Sequence, residues 1–312
     1  MFRPCIAALA VSVLVAGCAP PRTSADAPVA ASPGPQSRPT AHVQGERHLR
    51  NVRQLTFGGE NAEAYFSFDG TKIIFQSTRD GARCDQQYTM NIDGSDLRRV
   101  STGEGRTTCG YFAPGGREIV YASTHGAGPE CPPRPDMSRG YVWPIFPGYD
   151  IYRADADGSN LRNITNAPGY DAEPTIGPDG RIVFTSVRDG DMEIYSMNGD
   201  GSDVRRLTNR VGPDGGPFFS ADGSKIVFRG RTLESGRELD RYRLLLRDGL
   251  WQPTSLEIFV MNRDGSGLRQ VTNASAASFA PSSITASTRS AETSAKGPAP
   301  RRCLRPATSF SR

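Results

Sequence analysis

Four runs of three apolar residues punctuate the chain: Ile73-Ile74-Phe75, Ile119-Val120-Tyr121, Ile182-Val183-Phe184 and Ile226-Val227-Phe228. None alternates cleanly with polar residues, as expected of strands covered on both sides of a sheet. Each run follows a tight-turn pair, Asp69-Gly70, Gly115-Gly116, Asp179-Gly180 or Asp222-Gly223. Each also precedes an Asp-Gly-Ser turn, at Asp93-Gly94, Asp157-Gly158, Asp200-Gly201 and Asp264-Gly265. Glycine accepts positive φ, so such pairs between β-forming segments predict hairpins. The pattern gives four strands per repeat, in the first copy A (65–68), B (72–77), C (87–91) and D (97–101). The basic period, 43 residues from Asp157 to Asp200, matches a propeller blade better than a helical solenoid. The predicted fold is therefore all-β: a β-propeller of four-stranded antiparallel blades, about four of them complete, with strand A innermost.

The fullest copy, "GPDGRIVFTSVRDGDMEIYSMNGDGSDVRRLTN" from Gly177 to Asn209, resembles the TolB-type β-propeller repeat, and the resemblance runs from about Arg53 to Pro281. It implies a propeller in a cell-envelope protein and names no reaction, since propellers of this type serve as scaffolds in several settings. TolB itself has an α/β domain ahead of its propeller, for which the 27 residues of 19–45 leave no room.

Residues 1–18 read as a lipoprotein signal peptide. Arg3 is followed by the apolar stretch Ile6 to Ala16, too short for an ordinary membrane span, and Val15-Ala16-Gly17-Cys18 resembles a lipobox with Cys18 as the acylated residue. The resemblance implies that Ala19 after the cysteine directs the chain to the outer membrane, facing the periplasm. Residues 19–45 hold six Pro and six Ala without apolar periodicity, a disordered tether. The propeller is assigned to 46–281. In residues 282–312 the repeat pattern stops, and 24 of 31 residues are Ser, Thr, Ala, Arg or Pro. This segment reads as a disordered or out-of-frame tail that leaves the ring open. Arg53-Gln54-Leu55-Thr56 matches strand D without an A, B and C before it.

Charge adds little. The net +4 arises from +5 in residues 282–312, leaving the rest near −1, so no nucleic-acid face is expected.

Copies two and four each carry about 20 extra residues between strands B and C, which topology places on one face of the propeller. Long loops on a rigid scaffold are where binding residues concentrate. The candidate binding residues are His125, Glu130, Asp136, Tyr141, Trp143, Phe146 and Tyr149 in the first insertion and Tyr242 and Trp251 in the second; packing of the aromatics as a lid over their own blade is the alternative. In the second insertion Leu239, Tyr242, Leu245 and Leu246 share one side of a predicted helix that stops at Gly249. Cys84, Cys109 and Cys131 map to the same face, and one disulfide is expected, joining Cys109 to Cys131 or to Cys84, with free buried thiols as the alternative.

No catalytic residues are assigned: there is no Gly-x-Ser-x-Gly and no hydrolase domain. The spacing of His125, Glu130, Cys131 and Asp136 matches no closed metal site, so no metal and no cofactor are expected. The functional expectation is a non-catalytic, lipid-anchored propeller that binds an envelope protein or peptide through its decorated face and meets the membrane only through its anchor. The alternative is a sensor or accessory propeller of a hydrolytic system, peptidase or carbohydrate-active, working through the central channel.

Overall fold

The computed structural model describes residues 37–40, 44–274, 276–279 and 281. The signal peptide with Cys18, most of the tether and the 282–312 tail lie outside the described residues.

The chain starts with β1 (Arg38–Pro39) and β2 (Arg53–Gln54), an antiparallel pair. The first blade is β3 (Asn61–Phe66), β4 (Lys72–Ser77), β5 (Gln86–Asn91) and β6 (Arg98–Arg99). The second is β7 (Thr107–Phe112), β8 (Glu118–Ser123), β10 (Asp150–Asp155) and β11 (Arg162–Asn163), with β9 (Trp143–Pro144) in its long connection. The third is β12 (Asp171–Ile176), β13 (Ile182–Ser186), β14 (Glu193–Met197) and β15 (Arg205–Arg206). The fourth is β16 (Asp214–Phe219), β17 (Lys225–Gly230), β19 (Glu257–Asn262) and β20 (Arg269–Gln270). Its long connection holds α1 (Arg237–Arg247) and β18 (Leu250–Trp251). Every blade is an antiparallel meander, so the propeller and its four blades stand as the Asp-Gly punctuation predicts.

The turns work as their chemistry requires. In all four C–D hairpins the Asp Oδ1 accepts from the Ser backbone N–H and hydroxyl two residues on, at 2.6–2.9 Å. Those bonds hold Asp93, Asp157, Asp200 and Asp264 below the usual carboxylate range.

Blades stack through a repeating pair of faces. The leading face shows the first and third residues of the B run, with an aromatic of strand C beside the third: Phe75–Tyr88, Tyr121–Tyr152, Phe184–Tyr195 and Phe228–Phe259, ring centroids 5.6–6.3 Å apart. The trailing face shows the middle residue of the run. Ile74 packs into blade two, Val120 into blade three and Val183 into blade four, and all three are fully buried. Among the described residues nothing covers the equivalent face of the fourth blade. Val227, Ile258 and Val260 are only half-buried. Val271 is 50% exposed, whereas Val100 and Ile164 at the same register are 3% and 8%.

Two boundaries differ from expectation. Strand A of the first blade spans 61–66 rather than 65–68, because it contains a bulge and its last expected residues enter the turn. Arg38–Pro39, inside the stretch expected to be a tether, pairs with Arg53–Gln54. The expected lone strand D thus has a neighbour, and Leu55 beyond it covers the leading face of blade one formed by Ile73, Phe75, Tyr88 and Met90.

Candidate functional site: a buried ion pair beneath a lid

The innermost strand of every blade carries a bulge. Its pairing with strand B slips between Ala62 and Tyr65, Thr108 and Tyr111, Ala172 and Thr175, and Gly215 and Phe218. At the slip sit Glu63, Cys109, Glu173 and Gly216, all with φ of 50 to 60°. Left-handed backbone at non-glycine residues concentrates at sites where a side chain must be re-aimed. Here the bulges bring two carboxylates and a thiol near one another: burial, with Glu63 and Glu173 adding to it, pushes the Cys109 thiol well above its ordinary range. Just beyond the bulges, Tyr65, Tyr111 and Phe218 meet with centroids 5.5 to 6.2 Å apart. These rings, from blades one, two and four, meet where the innermost strands converge.

At this level one cation enters from the fourth blade. Arg229 on β17, 6% exposed, pairs with Glu173, which also accepts from the Thr185 hydroxyl at 2.7 Å and the Gly216 N–H at 2.8 Å. Burial opposes ionisation of Glu173, but the guanidinium and these bonds outweigh it and hold the carboxyl below its ordinary value. Gly216 is required sterically, since a Cβ there would lie 1.9 Å from Arg229 Nη1.

Above Arg229 the two insertions meet. β9 pairs with β18 (Pro144 opposite Leu250, Trp143 opposite Trp251), and the Ile145 N–H donates to the Gly249 carbonyl at 2.7 Å. The indoles of Trp143 and Trp251 cross edge-on at 5.3 Å, and the Arg229 guanidinium lies 5.8 and 5.4 Å from them. Ile145, Leu239, Tyr242, Trp251 and Leu256 share a core beneath, and the Tyr242 hydroxyl donates to Asp191. The predicted helix is present, with Leu239, Tyr242 and Leu245 buried. Two buried donors of this assembly, Arg229 Nε and Trp251 Nε1, have no acceptor among the described residues. Buried donors are seldom left so.

The remaining predicted site residues disperse. His125 stacks on Tyr152 at 4.1 Å with Nδ1 2.7 Å from the Ser123 hydroxyl, and burial lowers its pKa. Arg79 and Arg188 bond Ser77 and Ser186 in the same way and lie over the aromatic pairs of blades one and three. His125 therefore fills a repeated structural position. Glu130 is exposed and pairs with Arg83, and Asp136 caps a short 3₁₀ turn through the Ser138 N–H at 2.8 Å. Phe146 and Tyr149 pack at 6.1 Å, with Tyr149 buried against Ala122 and Ala172. Tyr141 alone of the aromatics is largely exposed, at 59%, with its ring edge-on to Trp143. The insertions thus bring Trp143, Trp251, Tyr141 and Tyr242 into one lid.

The disulfide differs from expectation. Cys84 bonds Cys131, clamping the lid's first insertion to blade one, and Cys109 remains a thiol. The bulge is the reason: it places Cys109 on the innermost strand, with Sγ 3.2 Å from the Thr108 hydroxyl, whereas Cys84 and Cys131 lie in outer loops.

Residues 147–239 match the TolB beta propeller domain. A stretch of 42 residues is 57% identical to the Tol-Pal system protein TolB of Bordetella pertussis, 13% of this chain and 10% of that protein. A structure from Agrobacterium tumefaciens, provisionally assigned as TolB, superposes with a TM-score of 0.51 at 21% identity, covering 67% of this chain and 63% of that one. TolB from Acinetobacter baumannii aligns at 20% identity over 69% of this chain and 44% of its own, with a TM-score of 0.48. The chain thus spans less than two thirds of each of these relatives. Its repeats and fold are TolB-like, with the domain match over residues 147–239.

Proposed function

We propose that this chain is a lipid-anchored envelope propeller that holds a protein or peptide partner at its lidded face. The observation that carries the reading is a pair of buried donors beneath the Trp143–Trp251 lid, Arg229 Nε and Trp251 Nε1, which have no acceptor among the described residues. A peptide carbonyl or carboxylate is the complementary group. Likeness to proteins of the Tol-Pal system supports an envelope setting, and the Val15 to Cys18 motif supports an outer-membrane anchor facing the periplasm.

The test is capture from envelope extracts with the full chain, with a chain lacking 126–148, and with Trp251→Phe, which keeps the ring but removes its donor. A defined partner should be recovered by the first, lost with the second and weakened with the third. Equal recovery by all three refutes the reading.

A further inference from the structure

A groove of about 720 Å3 opens beside the lid where three connections converge. Ile145 from the first insertion, Tyr170 and Val187 from the third blade and Leu246 from α1 give it an apolar lining continuous with the lid core. Arg243 and Arg247 stand on its helical side. Positions 243, 246 and 247 share one face of α1, so the groove presents one leucine flanked by two guanidinium groups one turn apart.

The rim carries two guanidinium groups against one carboxylate, that of Asp248, which also lines the groove. Among the described residues no carboxylate pairs with Arg243. Arg247 has Asp248 at 3.5 Å and is 74% exposed. The nearby acids of the third blade are engaged elsewhere: Asp191 accepts from the Tyr242 hydroxyl and the Gly212 N–H, and Asp189 from the Tyr195 hydroxyl. Like charges at i and i+4 repel and weaken a helix, a cost that an incoming anion reverses. A carboxylate can take a forked pair of hydrogen bonds from Arg243 while its neighbouring side chain covers the apolar lining.

From this complementarity we infer that the groove docks a short acidic peptide segment, an apolar side chain flanked by carboxylates. The inference rests on the reading of the lidded face as a partner-binding face, and it adds a second subsite with its own chemistry. The groove is concave and walled by three elements, and its two cations stand on one rim. That shape suits a peptide better than a flat anionic membrane surface, which would need exposed apolar and basic groups spread over one plane.

Fluorescence anisotropy with the fluorescein-labelled pentapeptide Glu-Leu-Asp-Phe-Glu and its counterpart Lys-Leu-Lys-Phe-Lys tests this on the full chain. The acidic peptide should bind at least about tenfold more tightly than the basic one, and added salt should weaken it. Arg243→Glu, at an exposed position that leaves the fold intact, should cost at least about tenfold, and Arg243→Lys should retain part of the binding. Indifference to peptide charge or to Arg243→Glu overturns the inference. So does binding only to phosphatidylglycerol vesicles, or a shift to dimers that alone depends on Arg243. Trp251→Phe separates the two readings. Peptide binding lost with Trp251→Phe and kept with Arg243→Glu refutes the groove and leaves the lid reading standing. Binding that follows Arg243 while partner capture ignores both the lid deletion and Trp251→Phe refutes the lid reading.

Discussion

Replacing Arg229 by leucine should destabilise the propeller and loosen its lid together. The guanidinium is 6% exposed, pairs with a carboxylate whose side chain is 15% exposed, and lies beneath both tryptophans of the chain. Arg229→Leu leaves Glu173 with only the Thr185 and Gly216 donors. A buried charge stripped of its ion partner costs about 3–5 kcal/mol, which for a domain of this size lowers Tm by about 10 °C. Glu173→Gln should cost less, because an amide still accepts from Thr185 and Gly216. The double change Glu173→Gln with Arg229→Leu should be milder than the sum, since each single change strands one charge of the pair and the double change strands none. The pH dependence has a defined sign. The Glu173 carboxyl is held below its ordinary value, so its contribution is complete above about pH 4.5 and is lost as pH falls through the folded-state pKa. The Arg229→Leu penalty should shrink over that same acid range, where the stranded carboxylate can protonate. Urea unfolding followed by tryptophan emission reads both effects, because Trp143 and Trp251 are the only reporters and both sit on the site. A loss under about 1 kcal/mol at pH 7 with unshifted emission, or strict additivity in the double variant, would refute the account of the pair as the lid's support.

Further outcomes follow from other parts of the fold. Cys84→Ser, which opens a bridge spanning 47 positions, should cost about 4 kcal/mol by chain entropy, and alkylation of the unfolded, unreduced chain should label Cys109 while sparing Cys84 and Cys131. Burial pushes the Asp214 carboxyl up to about 7 against the pull of Arg210. Its folded pKa exceeds the unfolded value, so stability should fall as pH rises from about 4 to about 7, and Asp214→Asn should flatten that segment of a pH–Tm series. Val100→Asp should cost about 3 kcal/mol or more, and Val271→Asp at the same register of the fourth blade within about 1 kcal/mol; equal losses in urea melts would mean that the fourth blade's trailing face is covered.

The blades were legible because local chemistry dictates them. Asp-Gly-Ser closes a hairpin whatever surrounds it, and an Ile-Val-Phe run needs cover on both sides. The helix was legible through the spacing of Leu239, Tyr242 and Leu245. The cluster at the inner strands was not, since Glu63, Cys109 and Glu173 owe their positions to a bulge in strand pairing that leaves no mark in hydropathy. One signal was available: Gly215-Gly216 inside a strand indicates a close approach, here by Arg229. Similarly, Trp143 and Trp251 lie 108 positions apart, and only the rotation of blades brings their insertions edge to edge. His125 drew notice as a potential ligand, and the Ser-x-Arg positions of blades one and three account for it as a stacking group.

The packing of Tyr65, Tyr111 and Phe218 joins strands that lie far apart in the chain. Those rings tie blades one, two and four together at their inner edges, so the two sides of the propeller are separate surfaces. A neighbour held at the lid leaves the opposite side, with its row of Asp-Gly-Ser hairpins, open to a second one.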